Sequence, residues 1–534
     1  MPSRKPASFV NLGAPRVLAH APPPEQEAVP AEGARKVALI VCHGMGRQVP
    51  FETIDTVARV MRRAHRHFGQ PRTAPDVTTR IVDIGIGKPV GRAELTLNDA
   101  DLGDIELHIY EAYWAPLTAG KVKLRQVVAF LLSAGISGLR AAPQTFLRWM
   151  FGNWQEFARS YKAFWELAVA LAFVLSLIVM NATIAAVVAS RGIGHDPAKW
   201  PSPDLLNSFT SSFTLVLVFW GLAAVSLGLA YWFHEHIDED RIGWDRGLIR
   251  IRAGTELTKI LVWLGILATI AGGILIAVDL YISTASATST PLWDRVCSRL
   301  SVSPCYFANV HNWVVAAIWG LVLVASYFIR KFLIEYFGDV VAYVNSHEVS
   351  EFHDVREAIR RVAHDLAAAI YALREPSQSG QPLYSRVAVA GHSLGSVIAY
   401  DTLNRLLLED SWRPQPDVLT RTSALVTFGS PLDKTAFIFR SQKPVEAEVR
   451  EALAAGVQPL IADPMYRQPI EWFNLWSSQD WISGRLTYYD ENPPVAAWRV
   501  HNDQDHYADI PLLAHVMYWR SRRLATTLLA AVRA

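Results

Sequence analysis

Hydrophobic and polar positions follow two regimes along this chain. Between residues 167 and 329 the apolar positions run almost unbroken in four stretches, at about 167–189, 213–233, 260–282 and 310–329. The first two carry no charge, the third is uncharged as far as Val278 and then meets Asp279, and the fourth is closed by Arg330 and Lys331. Each is long enough, or nearly so, to cross about 30 Å of hydrocarbon at 1.5 Å per residue, so the pattern predicts four transmembrane helices within a block spanning 127–334. Trp165, Trp232, Tyr281 and Trp313 stand near their ends, as interfacial anchors do. Val127–Leu139 is apolar too, but it is short and broken by glycine and serine, and reads as an interfacial or re-entrant segment.

Outside that block the pattern shortens. Lys36–Cys42, Arg80–Ile84, Ile105–Tyr110, Val387–Ala390, Ala424–Phe428 and Glu471–Trp476 are compact apolar or alternating runs and predict strands. Glu52–Phe68, Asp354–Leu373 and Val397–Leu408 carry helical spacing. Strands alternating with helices predict an α/β fold with a mostly parallel sheet. Its two parts, 36–126 and 335–534, are separated by the membrane block, which is inserted rather than appended. Residues 1–35 are rich in Pro and Ala, lack the apolar core of a secretion signal and predict a disordered lead-in.

Composition agrees with the membrane reading: 51% of residues are hydrophobic and 19% charged. Basic residues gather before the first stretch (Arg140, Arg148, Arg159, Lys162), between the second and third (Arg241, Arg246, Arg250, Arg252, Lys259) and after the fourth. The other two connections hold few. The positive-inside rule then puts both termini and the middle connection in the cytoplasm, and four crossings return the chain to the side it started from. Cys297 and Cys305 fall in an outward connection, where a disulfide is one of two open states. Cys42 reads as a buried strand residue rather than a nucleophile. A net charge of +2 and the lack of basic runs interleaved with aromatics argue against a nucleic-acid partner. No cofactor or metal site is expected; His234, Glu235 and His236 stand close together but at a membrane boundary, where a solvated cluster is the plainer reading.

The chemistry centres on Gly391-His392-Ser393-Leu394-Gly395, set between a predicted strand and a predicted helix. Small residues on both sides of a serine permit the sharp turn of a nucleophile elbow, with the Leu394 N–H placed for an oxyanion. A serine hydroxyl needs a base to take its proton, and an acid to orient that base. In the chain order serine, acid, histidine, the candidates are Asp480, beyond the strand ending at Trp476, and His515, ahead of the last helix. Asp433 is the alternative acid and His506 the alternative base, with His501 beside it in what reads as a surface loop. Asp490 and the Asp503/Asp505 pair read as solvated loop charges. His43-Gly44-Met45-Gly46, after the first strand, can bring the Met45 N–H to the oxyanion as its second donor.

Gly391–Asp401, together with Phe428-Gly429-Ser430-Pro431-Leu432, resembles the α/β-hydrolase lipases, most closely the intracellular phospholipase A1 group and related bacterial hydrolases. Gly338–Tyr343 and His43–Gln48 are similar to segments of the same enzymes. The resemblance covers roughly 36–115 and 335–525. It implies an α/β-hydrolase fold and a serine esterase or lipase, here a multi-pass protein of a bacterial inner membrane with its hydrolase domain in the cytoplasm. The lipid bilayer and an ester or lipid substrate are the expected partners, with no oligomeric state implied. An acyltransferase using the same triad, and a non-catalytic membrane scaffold, remain open alternatives.

Overall fold

A computed structural model of the 534-residue chain describes residues 16–17, 35–46, 48–68, 74–99, 103–118, 120–159, 161–192, 203–236, 244–285, 312–332, 338–344, 352–376, 380–412, 417–441 and 448–534. It divides into two compact units. Among the described residues, one comprises 131–139 and those between 161 and 332; the other comprises 16–17, those between 35 and 130, 140–159 and those between 338 and 534.

The second unit is built on a mixed, mostly parallel sheet of nine strands. In chain order these are β1 (Arg16–Val17), β2 (Arg35–Cys42), β3 (Val77–Val82), β4 (Val90–Asp99), β5 (Gly103–Ala112), β8 (Arg386–His392), β9 (Thr422–Phe428), β10 (Glu471–Trp476) and β11 (His501–Gln504). Strands β6 (Phe146–Met150) and β7 (Asn153–Phe157) form a separate hairpin. Across the main sheet the order is β1-β3-β4-β5-β2-β8-β9-β10-β11. From β5 to β11 every pairing is parallel, while β3–β4 and β4–β5 are antiparallel. The centre is dry: Val37–Cys42, Val387–Ala390 and Ala424–Val426 are 2% exposed or less. Their continuous apolar runs are those of strands covered on both faces. The helices Leu394–Trp412 and Arg522–Arg533 pack on these strands, and Glu52–Phe68 packs on β4, β5 and Arg522–Arg533. Because β2, β8, β9, β10 and β11 run the same way, the segments leaving their carboxyl ends come together at one edge, where sites of parallel sheets form.

Several expectations change here. Most of the lead-in lies outside the described residues, but Arg16–Val17 pair with β3 and Arg35 already belongs to β2. Strand β4 and the β6–β7 hairpin were not expected; their charged and polar positions (Arg92, Glu94, Asn98; Arg148, Gln155, Glu156) mask the alternation. The stretch expected to be a surface loop, 501–506, supplies the edge strand β11 through four cross-strand partners on β10. Asp490 and Asp505 are buried rather than solvated. Asp490 pairs with the guanidinium of Arg467 at 3.3 Å, and that arginine is itself 1% exposed. Asp503 is exposed, as expected of it.

The other unit is helical. Tyr161–Gly192, Pro203–His236 and Trp244–Ala285 contain three segments long and apolar enough to cross a membrane: Phe164–Val187, Asp204–His234 and Thr255–Ser283. The fourth stretch forms the helix Asn312–Phe332. Val310, His311 and several of its side chains lie outside the described residues, as do Cys297, Cys305 and their pairing. Arg246, Arg250 and Arg252, expected in a loop, lie on the 42-residue helix Trp244–Ala285, since arginine continues a helix readily.

These helices pack through Phe209, Phe213, Ile276 and Val322, and through polar pairs: Trp220 donates to Thr269 (3.0 Å), Trp319 to Thr210 (3.2 Å), and Ser226 bonds Thr258 (2.7 Å). Buried hydroxyls of this kind join apolar helices by hydrogen bonds that their apolar side chains do not offer. Asp279, which ends the third uncharged run, is 1% exposed and accepts from the Ser208 hydroxyl, on a helix that runs on to Ala285.

Candidate active site

The site begins with the end of β8. Ser393 has φ = +54°, left-handed for a residue with a side chain. Its N–H donates to Phe428 O on β9 (3.0 Å), and Ser396 N–H donates back to Ser393 O (2.9 Å), so the turn is tied on both sides. Strain of this kind persists only where its surroundings enforce it. The flanking glycines are required by contact. A Cβ on Gly391 would lie 2.4 Å from Gly395 O, and one on Gly395 would lie 2.2 Å from Cys42 O. The helix Leu394–Trp412 therefore starts directly against the carboxyl end of β2. Leu394 N–H sits at its first position, where no intrahelical carbonyl reaches it and the helix dipole favours negative charge.

The serine hydroxyl donates to Nε2 of His515 at 2.8 Å, and Nδ1–H of His515 donates to Oδ2 of Asp480 at 2.9 Å. The structure thus brings together Ser393, Asp480 and His515, which lie 122 and 35 residues apart along the chain. Asp480 is 4% exposed, in the turn after β10. Burial alone would raise its carboxyl. The hydrogen bond and electrostatic attraction of His515, the Ile482 N–H (2.9 Å) and the Tyr518 hydroxyl (3.0 Å) outweigh burial and hold it down at about 2. It is therefore an anion at neutral pH and fixes the tautomer that leaves Nε2 free to accept.

Two residues that sequence reasoning missed complete this arrangement. Tyr518 donates to Asp480 and bonds Ser483 (3.0 Å) in the same turn. Its spacing of three from His515 puts both on one helical face, a signal that was available in the sequence. His392, buried at 7% exposure, donates through Nε2–H to the main-chain oxygen of His515 (2.9 Å). Burial, and the neighbouring His515, push its pKa down to about 3.

The alternatives lie elsewhere. Asp433 accepts from Tyr488 N–H (2.9 Å) and the Thr487 hydroxyl (3.3 Å), and burial raises it to about 7. His506 and His501 are exposed, the latter paired with Glu471 at 3.0 Å. Cys42 is enclosed in β2, and burial, with Glu111 nearby, raises its thiol to about 12, so no thiolate competes with Ser393. A cleft of about 680 Å³ at the β10–β11 edge, lined by Asn474, Arg485 and Asp490 among others, includes none of the three residues. Among the described residues, no group of His, Cys, Asp and Glu is arranged to hold a metal ion.

The glycine turn after β2 lies against the elbow: a Cβ on Gly44 would be 3.0 Å from Ser393 Cβ and 2.9 Å from His392 Nδ1. His43 is the turn's anchor. It stacks on Trp114 (centroids 4.6 Å, 13°), accepts from Trp114 N–H at Nε2 (3.0 Å) and donates through Nδ1–H to Gly44 O (2.8 Å). Burial lowers its pKa to about 4, against the Gly44 hydrogen bond, so it is neutral and is held as a structural donor. In a trans peptide the N–H points opposite the C=O, so the Gly44 O bond turns the Met45 N–H away from His43. Asp339, 6% exposed on the helix Gly338–Val344, accepts from Gly46 N–H at 2.8 Å.

No family model, curated protein or solved structure matches this chain.

Proposed function

We propose that this chain is a membrane-integral serine hydrolase of the α/β-hydrolase type, cleaving carboxylic esters and acting on lipid or acyl esters. One observation carries the reading: the unbroken hydrogen-bonded chain Ser393 Oγ, His515, Asp480, with the serine in a left-handed turn at a helix amino terminus. Paired acids, histidines or tyrosines alone would not call for that strained turn.

In this reading His515 Nε2 takes the hydroxyl proton as Ser393 Oγ bonds the ester carbonyl carbon. The negative charge that develops on the carbonyl oxygen is met by the N–H groups of Met45 and Leu394. Collapse breaks the carbon–oxygen bond to the alcohol, which leaves with the proton from His515. Water then adds to the acyl-enzyme by the same route, giving the acid and the free serine. Asp480 stays ionised and stabilises the imidazolium. The apolar helices, three of them long and apolar enough to cross a membrane among the described residues, support a lipid-derived substrate met at the membrane, and the basic residues flanking the four stretches support a cytoplasmic hydrolase domain.

The test is labelling of the detergent-solubilised chain with a fluorophosphonate probe beside Ser393→Ala. Labelling of the wild type and none of the variant is expected; equal labelling of both overturns the assignment. Turnover of an acyl ester in ¹⁸O water then places label in the acid. An unlabelled product transferred to an added alcohol would make the enzyme an acyltransferase instead.

A further inference from the structure

Asp339 and Gln48 grip opposite ends of one peptide group. The peptide between Met45 and Gly46 offers its N–H to Asp339 Oδ2 (2.8 Å) and its C=O to Gln48 Nε2 (3.3 Å). The preceding peptide, between Gly44 and Met45, is held through its C=O by His43 (2.8 Å). Met45 N–H belongs to this preceding peptide, and the Met45 Cα therefore joins two peptide groups whose orientations are both set. Gly46 has φ = +95°, a conformation that a side chain would strain, so the turn owes its shape to these hydrogen bonds and to glycine. Gln48 is placed in turn by Tyr113, whose hydroxyl donates to Gln48 O at 2.9 Å.

Resting on the hydrolase reading above, we infer that Asp339 and Gln48 are positioning residues that aim the Met45 N–H at the oxyanion by clamping the peptide on its far side. Neither touches the reacting atoms. A donor aimed in advance stabilises developing charge without reorganising at the moment of reaction, which is where such hydrogen bonds gain their effect. Loss of the clamp therefore acts on the chemical step rather than on substrate binding. The clamp also joins distant parts of the chain. Asp339 is 293 residues from Gly46 and comes from the first described helix after the apolar helices, so the two halves of the sheet unit meet at the oxyanion turn. Nothing in the sequence spacing shows this, because the intervening residues include three further strands of the sheet and all the apolar helices.

Kinetics of the full chain in detergent, with a p-nitrophenyl ester, test the inference. Asp339→Ala is expected to lower kcat about 10–100-fold while KM stays within about twofold. Asp339→Asn retains a side-chain oxygen that accepts from Gly46 N–H, and is expected within about threefold of wild type. Gln48→Leu, at a partly exposed position, is expected to lower kcat about 3–10-fold. A folded Asp339→Ala with wild-type kcat, a loss carried by KM alone, or an Asp339→Asn as slow as Asp339→Ala each overturns the clamp. Should Asp339→Ala not fold, Gln48→Leu decides: unchanged kcat overturns the clamp and lowered kcat sustains it. Failure of the underlying reading looks different, since the wild type would then neither turn over the ester nor label at Ser393.

Discussion

Nε2–H of His392 donates to the main-chain oxygen of His515 across 2.9 Å, so the residue before Ser393 holds the backbone of the residue whose ring accepts the Ser393 hydroxyl. The two rings lie 4.9 Å apart, and Phe428 and Trp519 close around His392. His392→Phe leaves the His515 carbonyl without this donor inside the protein. A loss of about 1–3 kcal/mol in stability is expected. A fall in kcat of about tenfold at unchanged KM should accompany it, with His392→Gln intermediate. Thermal unfolding and ester kinetics check both.

The same residue makes a pH prediction. His392 stays neutral in the folded chain down to about 3, whereas in the unfolded chain it takes a proton near its ordinary value. The unfolded state thus binds more protons between those values, and stability falls as pH drops from about 6.5 towards 3. At pH 4.5 this costs on the order of 2 kcal/mol. His43, held down at about 4, adds in the same direction. Asp339 and Asp433, raised by burial to about 6 and 7, act oppositely, losing stability as pH rises from the ordinary carboxylate range. Comparing wild type with the non-titrating His392→Phe isolates one contribution: the wild-type advantage at pH 7.5 should shrink at pH 4.5. A gap in melting temperature that stays constant with pH would count against a neutral, buried His392.

Asp480 and Asp433 separate cleanly by substitution. Asp480→Asn keeps the shape but offers His515 the wrong tautomer partner, and a loss of about 10³–10⁴-fold in kcat is expected. Asp433→Asn should remain within about threefold, because its partners Tyr488 and Thr487 lie outside the Ser393–His515–Asp480 chain. Tyr518→Phe removes one of the groups that lower the Asp480 carboxyl and should reduce kcat up to about tenfold. Steady-state kinetics of the three variants at pH 7.5 decide the matter. Loss in Asp433→Asn without loss in Asp480→Asn would reverse the assignment.

Gly395→Ala should prevent the native turn from forming. Its Cβ would meet two backbone oxygens, Cys42 O at 2.2 Å and His43 O at 2.4 Å, and backbone at the end of a central strand has nowhere to move. Overpacking of this kind costs about 1–3 kcal/mol or more. A lower melting temperature in detergent, together with loss of fluorophosphonate labelling, is the expected result. A variant with wild-type melting and labelling would show that the elbow does not pack against β2 in this way.

The apolar helices make the chain a membrane resident in this reading. It should stay in the pellet after an alkaline carbonate wash, and a reporter fused after Ala534 should behave as cytoplasmic. Release by carbonate would argue against spanning helices, and an exported reporter against the proposed orientation.

Much of this could be read from the order of residues because it depends on local constraints. The glycines around Ser393 are demanded by a turn a few residues long, and the runs Val37–Cys42 and Ala424–Phe428 are apolar because strands buried on both faces leave no polar side. That Phe164–Val187, Asp204–His234 and Thr255–Ser283 are long and apolar enough to cross a membrane follows from length and composition alone. Local pattern also misled where tertiary burial overrode it. Asp490 looks solvated until the buried Arg467 is seen beside it.

Chain order raised Asp480 and His515 as candidates, but Asp433 and His506 stood beside them as alternatives of the same type and similar position. Only the tertiary structure separated them, by carrying β10 and the segment after β11 to the carboxyl edge of the sheet and leaving His506 in solvent. The grip of Asp339 on Gly46, and of His392 on the His515 carbonyl, likewise has no sequence signature. A hydrogen bond across 293 or 123 residues depends on which strands neighbour one another, and that order is settled by the packing of the sheet rather than by any short stretch of chain.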